Sequence, residues 1–142
     1  MIPGFFDPRR ARPAPSAGQI LLPELAEKWF EVDFLLDTGA SRSCLHPSDA
    51  IAGAGIRRAA LADPARWRQH EPPRGVGGES IYYVTLATYA FVTDAGEAQV
   101  VDGHIRIGQL RPGSLGLPSL LGWDVLQFEI VVDWQSKRIE LR

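Results

Sequence analysis

An apolar run that ends in a carboxylate constrains this chain most. Phe30, Val32, Phe34 and Leu36 alternate with Glu31, Asp33 and Leu35, and the run stops at Asp37-Thr38-Gly39-Ala40-Ser41. Period two with one apolar set predicts a half-buried strand. Asp, Thr and Gly in succession predict a turn. The pattern therefore sets a carboxylate at the end of a buried strand, in a sharp glycine turn.

The same period recurs along the chain. Residues 19–22 form a short apolar run. Residues 80–92 are rich in Tyr, Val, Ile, Thr and Phe, which suit a strand, and both faces are apolar enough for a central one. Asp94-Ala95-Gly96 supplies a turn. Val101, Gly103, Ile105 and Ile107 then alternate with Asp102, His104 and Arg106. Phe128, Ile130 and Val132 alternate, residues 134–137 turn, and Ile139 and Leu141 alternate again. Helix is the minority. Residues 47–52 predict a short helix ending near Gly53 or Gly55. Asp63-Pro64-Ala65-Arg66-Trp67 reads as a helix start, with Asp as N-cap and Pro at the first helical position. One or two helical turns are expected over residues 123–127. Residues 69–75 and 108–118, dense in Gly and Pro, read as loops. The expected fold class is mainly β with one or two short helices.

The 142 residues fit one domain. Residues 1–17 carry Pro3, Pro8, Pro13 and Pro15, each lacking a backbone donor, so a flexible or extended N-terminal arm is expected there and the folded domain over residues 18–142. Lys+Arg is 15 and Asp+Glu is 17, a net charge of −2. Affinity for nucleic acid rests largely on neutralising phosphates, so this balance argues against a nucleic-acid partner. No apolar run approaches the ~20 residues that span a bilayer, and the N-terminus lacks the pattern of a secretory signal. A soluble, cytoplasmic protein with no membrane partner is expected.

Most catalytic constellations are missing. His46, His70 and His104 have no metal-ligand spacing, so no metal is expected. There is no G-x-S-x-G elbow and no phosphate loop. Cys44 is the single cysteine, which excludes an intrachain disulfide. His46 lies two residues on, on the same face of a strand, so a thiolate pair is one reading and a buried structural cysteine the other. Trp29, Trp67, Trp123 and Trp134 read as core or interface residues. Asp124 reads as a structural residue.

A second segment, Leu120-Leu121-Gly122-Trp123-Asp124-Val125-Leu126, joins the Asp37 segment in a pattern. Together they resemble the retropepsin-like aspartic proteases, in which an apolar strand ending in Asp-Thr-Gly-Ala is paired with a later apolar-apolar-Gly-x-Asp-x-Leu. Arg74-Gly75-Val76-Gly77-Gly78 looks like the family's glycine-rich flap, and residues 128–141 resemble its closing hairpin. The resemblance covers roughly residues 19–142, in the expected order. The stretch between Asp37 and Val76 is longer than in compact retroviral members, and Pro72-Pro73 falls where the first flap strand would lie.

The resemblance implies a closed retropepsin-like acid protease β-barrel and an aspartic endopeptidase that hydrolyses polypeptides without a cofactor. Asp37 would be the catalytic acid/base. Thr38, Gly39 and Ala40 would support the loop, with Leu121 and Gly122 bracing it from behind, and Val76, Gly77 and Gly78 would form the substrate-binding flap. The chain has one Asp-Thr-Gly. Asp33 lies four residues earlier on an extended strand, some 13 Å away, too far to share a proton with Asp37. The second carboxylate would come from another Asp37, in a homodimer with its site on the two-fold axis. The alternative is a catalytically silent dimer of the same fold, acting as a binding or scaffolding module. Ala40 cannot donate a hydroxyl proton to the carboxylate, which implies a mildly acidic to near-neutral optimum.

Overall fold

Two long strands organise the chain. β8 (Tyr82–Val92) and β9 (Ala98–Gly108) pair antiparallel along their full length, from Tyr82↔Gly108 to Val92↔Ala98. The turn between them is closed by Thr93, whose carbonyl accepts the Gly96 N–H while its own N–H donates to the Glu97 carbonyl. Gly96 sits at φ +79, where a side chain would be strained. The computed structural model describes residues 2–7, 12–15, 18–63, 65, 70–71 and 81–142.

On β8 every second residue from Tyr83 to Phe91 is buried. Its neighbours are β9 and β3 (Gly18–Leu22), so the strand is central as expected. Its other face is not covered, and Leu86 and Val92 stay exposed. An antiparallel sheet needs only one face on the core. β3 pairs in turn with β4 (Ala26–Val32), with a register shift between Ile20 and Leu22.

The run from Phe30 to Leu36 is not one strand. It breaks at Asp33-Phe34 into β4 and β5 (Leu35–Leu36). β4 pairs with β3, whereas β5 pairs with β10 (Leu120–Leu121). The alternation hides this exchange of partners, because Phe30, Val32, Phe34 and Leu36 all remain buried. The larger sheet has the order β4-β3-β8-β9-β6-β10-β5, where β6 is Cys44–Leu45, and β7 (His70–Glu71) pairs with β8. Its outer strands β4 and β5 are thus joined by two residues. Six strand spacings would set them roughly 29 Å apart in a flat sheet, but the link from Val32 to Leu35 reaches only about 11 Å. The sheet must curl, and it encloses a core of Ile20, Phe30, Phe34, Tyr89, Ile105, Ile107 and Leu121, among others.

A second sheet has the order β11-β12-β1-β2. It comprises β1 (Ile2–Asp7), β2 (Arg12–Pro15), β11 (Ile130–Asp133) and β12 (Arg138–Leu141). The β11–β12 hairpin forms as expected, but only β12 alternates in burial, and Val132 on β11 is exposed. Within the expected flexible or extended arm, β1 and β2 form regular strands. Pro13 and Pro15 lie on the edge strand β2, where proline is tolerated, and Pro3 lies opposite Glu140 on β12. Ile2 joins Ile139 and Leu141 in the core.

Among the described residues the α-helices are α1 (Pro47–Ala52), as predicted, and α2 (Arg58–Ala62), which was not, and a 3-10 turn at Ser114–Gly116 lies in the expected 108–118 loop. Asp63 ends α2, and its Oδ1 accepts the Ala65 N–H, the bond expected of an N-cap, with Ala65 itself in a 3-10 turn. Pro64, Arg66 and Trp67 lie outside the described residues. The loop expected over 69–75 contains β7. Residues 123–127 form a turn rather than a helix, with the Val125 and Leu126 N–H groups both donating to the Gly122 carbonyl. Among the described residues no helix is long and apolar enough to cross a membrane.

Candidate active site

Asp37 is held by the last rung of a short parallel ladder. Leu35 and Leu36 lie opposite Leu120 and Leu121. The Leu35 N–H donates to the Ser119 carbonyl at 2.8 Å, and the Asp37 N–H donates to the Leu121 carbonyl at 3.0 Å. The backbone of the carboxylate-bearing residue is therefore fixed before the chain turns. The turn is closed by the Ala40 N–H on the Asp37 carbonyl at 3.1 Å. Inside it, the Gly39 N–H donates to Asp37 Oδ1 at 2.9 Å. A Cβ on Gly39 would lie 3.2 Å from that oxygen, so glycine permits the close approach.

After the turn the chain returns as β6 on the opposite side of β10, with Cys44 opposite Leu120. β10 is thus inserted between the two strands that flank the Asp37 loop, parallel to one and antiparallel to the other. At its end Gly122 lies against the loop. A Cβ there would sit 2.7 Å from the Ala40 carbonyl oxygen and 2.8 Å from the Arg42 nitrogen. The next residue, Trp123, donates its backbone N–H to the Ala40 carbonyl at 3.0 Å. Its indole N–H donates to the Thr38 carbonyl at 2.7 Å. Ser43 donates to Asp124 Oδ1 through both N–H and hydroxyl, and its oxygen accepts the Gly122 N–H at 3.0 Å. The residues expected at the loop and behind it are thus brought together. Ser43 and the indole of Trp123 were not foreseen. Asp124, read as structural from its sequence, serves as a hydrogen-bond anchor.

Asp37 and Ala40 are half-buried, and Thr38 and Gly39 are exposed. The tip of the loop faces outward from the single chain. Val76, Gly77 and Gly78, expected in the flap, lie outside the described residues, as does Pro72-Pro73. β7 pairs with the start of β8 through His70↔Tyr83 and Glu71↔Tyr82. Trp29, Trp123 and Trp134 are exposed, so of the two expected places, core or interface, they are not in the core of the chain. Trp67 is not among the described residues.

Cys44 and His46 do face one another, with Sγ 3.5 Å from Nε2. Burial pushes the Cys44 thiol up to about 12, against smaller opposing effects of a Tyr82 hydrogen bond and the Arg106 charge. The thiolate that a nucleophile or metal ligand needs is disfavoured there. Burial also holds His46 below its ordinary value, opposed by its bond to the Pro118 carbonyl and by the charge of Asp49. The His46 N–H donates to Ser119 Oγ, whose hydroxyl donates to Asp49. This network ties β6 and α1 to the segment before β10, so the pair is structural. Among the described residues no group of three or more His, Cys, Asp or Glu could hold a metal ion.

No protein-family model, curated protein or solved structure matches the chain.

Proposed function

We propose that this chain is a retropepsin-like aspartic endopeptidase that acts as a homodimer, and that its curled sheet is one retropepsin-like barrel of that dimer. The observation that carries this reading is the insertion of β10 between β5 and β6, with Gly122 pressed on the backbone of the Asp37 loop. Such an arrangement fixes a carboxylate at a loop tip without relying on its own side-chain packing. The exposed tip at Thr38 and Gly39 leaves room for a second copy to approach.

Two Asp37 carboxylates about 3 Å apart share one proton, because like charges that close cannot both ionise. The charged carboxylate takes a proton from a water molecule, which attacks the scissile carbonyl carbon. The protonated carboxylate donates to the carbonyl oxygen. The resulting intermediate then collapses as the leaving nitrogen is protonated. The Gly39 N–H steadies the charged oxygen throughout. Val76, Gly77 and Gly78 would close over the peptide and limit water access.

The test is cleavage of a peptide library from acid to neutral pH by the wild-type protein and by Asp37→Asn. Asparagine keeps the shape and removes the titrating group. The wild type is expected to cleave and the variant to lose activity by roughly 10²–10⁴-fold or more. Sedimentation is expected to give a dimer. A folded, dimeric wild type that cleaves nothing would support the silent binding module instead.

A further inference from the structure

Beside the Asp37 loop lies a cleft of about 400 Å³, lined by Arg42, Val84, Gly103, His104, Arg106 and Asp124. The strand register explains its composition. Arg106 lies opposite Cys44 across β6 and β9, and its N–H donates to the Ser43 carbonyl at 3.2 Å. His104 is two residues back on β9 and so shares its face, while Ile105 and Ile107 point into the core. Arg42 precedes Ser43 and is exposed. Asp124 stands on the opposite wall, with Oδ1 already accepting two hydrogen bonds from Ser43.

Among the described residues Arg42, His104 and Arg106 thus share the lining with one carboxylate, Asp124. Asp102, the next acid on this strand face, does not line the cleft and accepts the Thr88 hydroxyl. Among the described residues the lining thus holds more basic than acidic side chains, in a chain whose net charge is −2. Guanidinium groups bind carboxylates with two parallel hydrogen bonds. The cleft is also near the reacting centre. Arg42 is five residues beyond Asp37, so their Cα atoms are at most about 17 Å apart, and the turn at Ala40 shortens this. An extended peptide advances about 3.3 Å per residue, so a side chain within five positions of the scissile bond reaches the cleft.

We propose that this cleft is a subsite for an acidic side chain, and that Arg42 and Arg106 select peptide substrates carrying Asp or Glu within five residues of the cleaved bond. The inference rests on the peptidase reading of Asp37. Its test compares peptides that differ only by Glu or Gln, placed in turn at each of those positions. At one position or more, the Glu peptide is expected to have the higher kcat/KM by roughly tenfold to a hundredfold. The gap should close in Arg42→Gln and reverse in Arg42→Glu. Arg42 is exposed, so these variants should fold. Arg106→Gln, checked for folding by thermal melting, should also close the gap. Equal turnover of Glu and Gln peptides at every position would overturn the subsite and leave the peptidase reading standing.

A second arm needs no chemistry. Fluorescein-labelled ten-residue peptides carrying Glu or Gln are titrated into Asp37→Asn protein and followed by anisotropy. Tighter binding of the Glu peptide, lost when Arg42→Glu is added, supports the cleft even if the wild type cuts nothing. Equal binding of both peptides overturns it.

Discussion

Ser43 and Asp124 are 81 residues apart in the chain and are joined twice, by the Ser43 N–H at 2.8 Å and its hydroxyl at 2.7 Å on the same carboxylate oxygen. The hydroxyl oxygen also accepts the Gly122 N–H. One buried serine thus connects the end of the Asp37 loop to the segment that supports it.

Removing that hydroxyl leaves the Gly122 N–H buried without its acceptor. Ser43→Ala should cost about 2–3 kcal/mol of stability, because an orphaned buried donor loses its full solvation. Asp124→Asn keeps an acceptor oxygen and should cost less. A double-mutant cycle by urea denaturation should give a coupling of about 1 kcal/mol. A Ser43→Ala protein as stable as the wild type would contradict this assignment.

Gly122→Ala places a methyl group 2.7 Å from the Ala40 carbonyl oxygen, and the atoms it meets are backbone. It should lower stability by about 1–3 kcal/mol or more and displace the Asp37 loop, with loss of the proposed peptidase activity. Gly116→Ala meets nothing within 4 Å and should change the unfolding midpoint little. Equal midpoints for the two variants would show that the loop is not braced at Gly122.

The Ala40 N–H donates to the Asp37 backbone carbonyl, and its side chain carries no hydroxyl. In the proposed dimer a serine there would bring one more donor to the carboxylates. Ala40→Ser should therefore favour the anion and move the acid limb of the pH–rate profile to lower pH. An unchanged or upward-shifted limb would show that the side chain at position 40 does not reach the carboxylate.

Stability should fall at both ends of the pH range. Folding holds His46 below its ordinary value of 6.5. The unfolded chain therefore binds more protons below that pH, and stability declines as the pH falls through it. Cys44 shows the opposite sign. Its thiol ionises near 9.0 when exposed but only at about 12 when buried, so stability declines as the pH rises above 9. Urea midpoints across pH should form a dome. Cys44→Ala should flatten the first part of that limb, just above pH 9, where an exposed thiol ionises ahead of tyrosine. An unaltered alkaline limb in that variant would assign the loss to other groups.

Several elements were legible because their causes are local. Proline at the first position marks α1, and period-two alternation marks β8, β9 and β12. Other elements escaped because their signals are weak or double. α2 has no side-chain cap at Arg57, so nothing announced its start. Asp63 both closes that helix and accepts the Ala65 N–H as an N-cap would, so its residue type announced only one of its two parts. The prolines of β1 and β2 suggested a flexible or extended arm, but proline is tolerated on an edge strand such as β2, and only the sheet order reveals that edge. At the candidate site, Asp37 and Gly39 stood out by residue type and Leu121-Gly122 by pattern. Ser43 did not, because serine is common in turns and its partner is distant.

The amino-acid sequence by itself determined a mainly β chain, a carboxylate at a strand end and a single cysteine, whose burial the structure decided. These follow from side-chain alternation, turn chemistry and composition, which act over a few residues. Only the tertiary structure decided that the strand before Asp37 breaks at Asp33-Phe34, that β10 enters between β5 and β6, and that Arg42, His104 and Arg106 line one cleft. Those relations join residues tens of positions apart. They arise when a curled sheet buries both halves of the alternation at once, and no local pattern records which strand lies beside which.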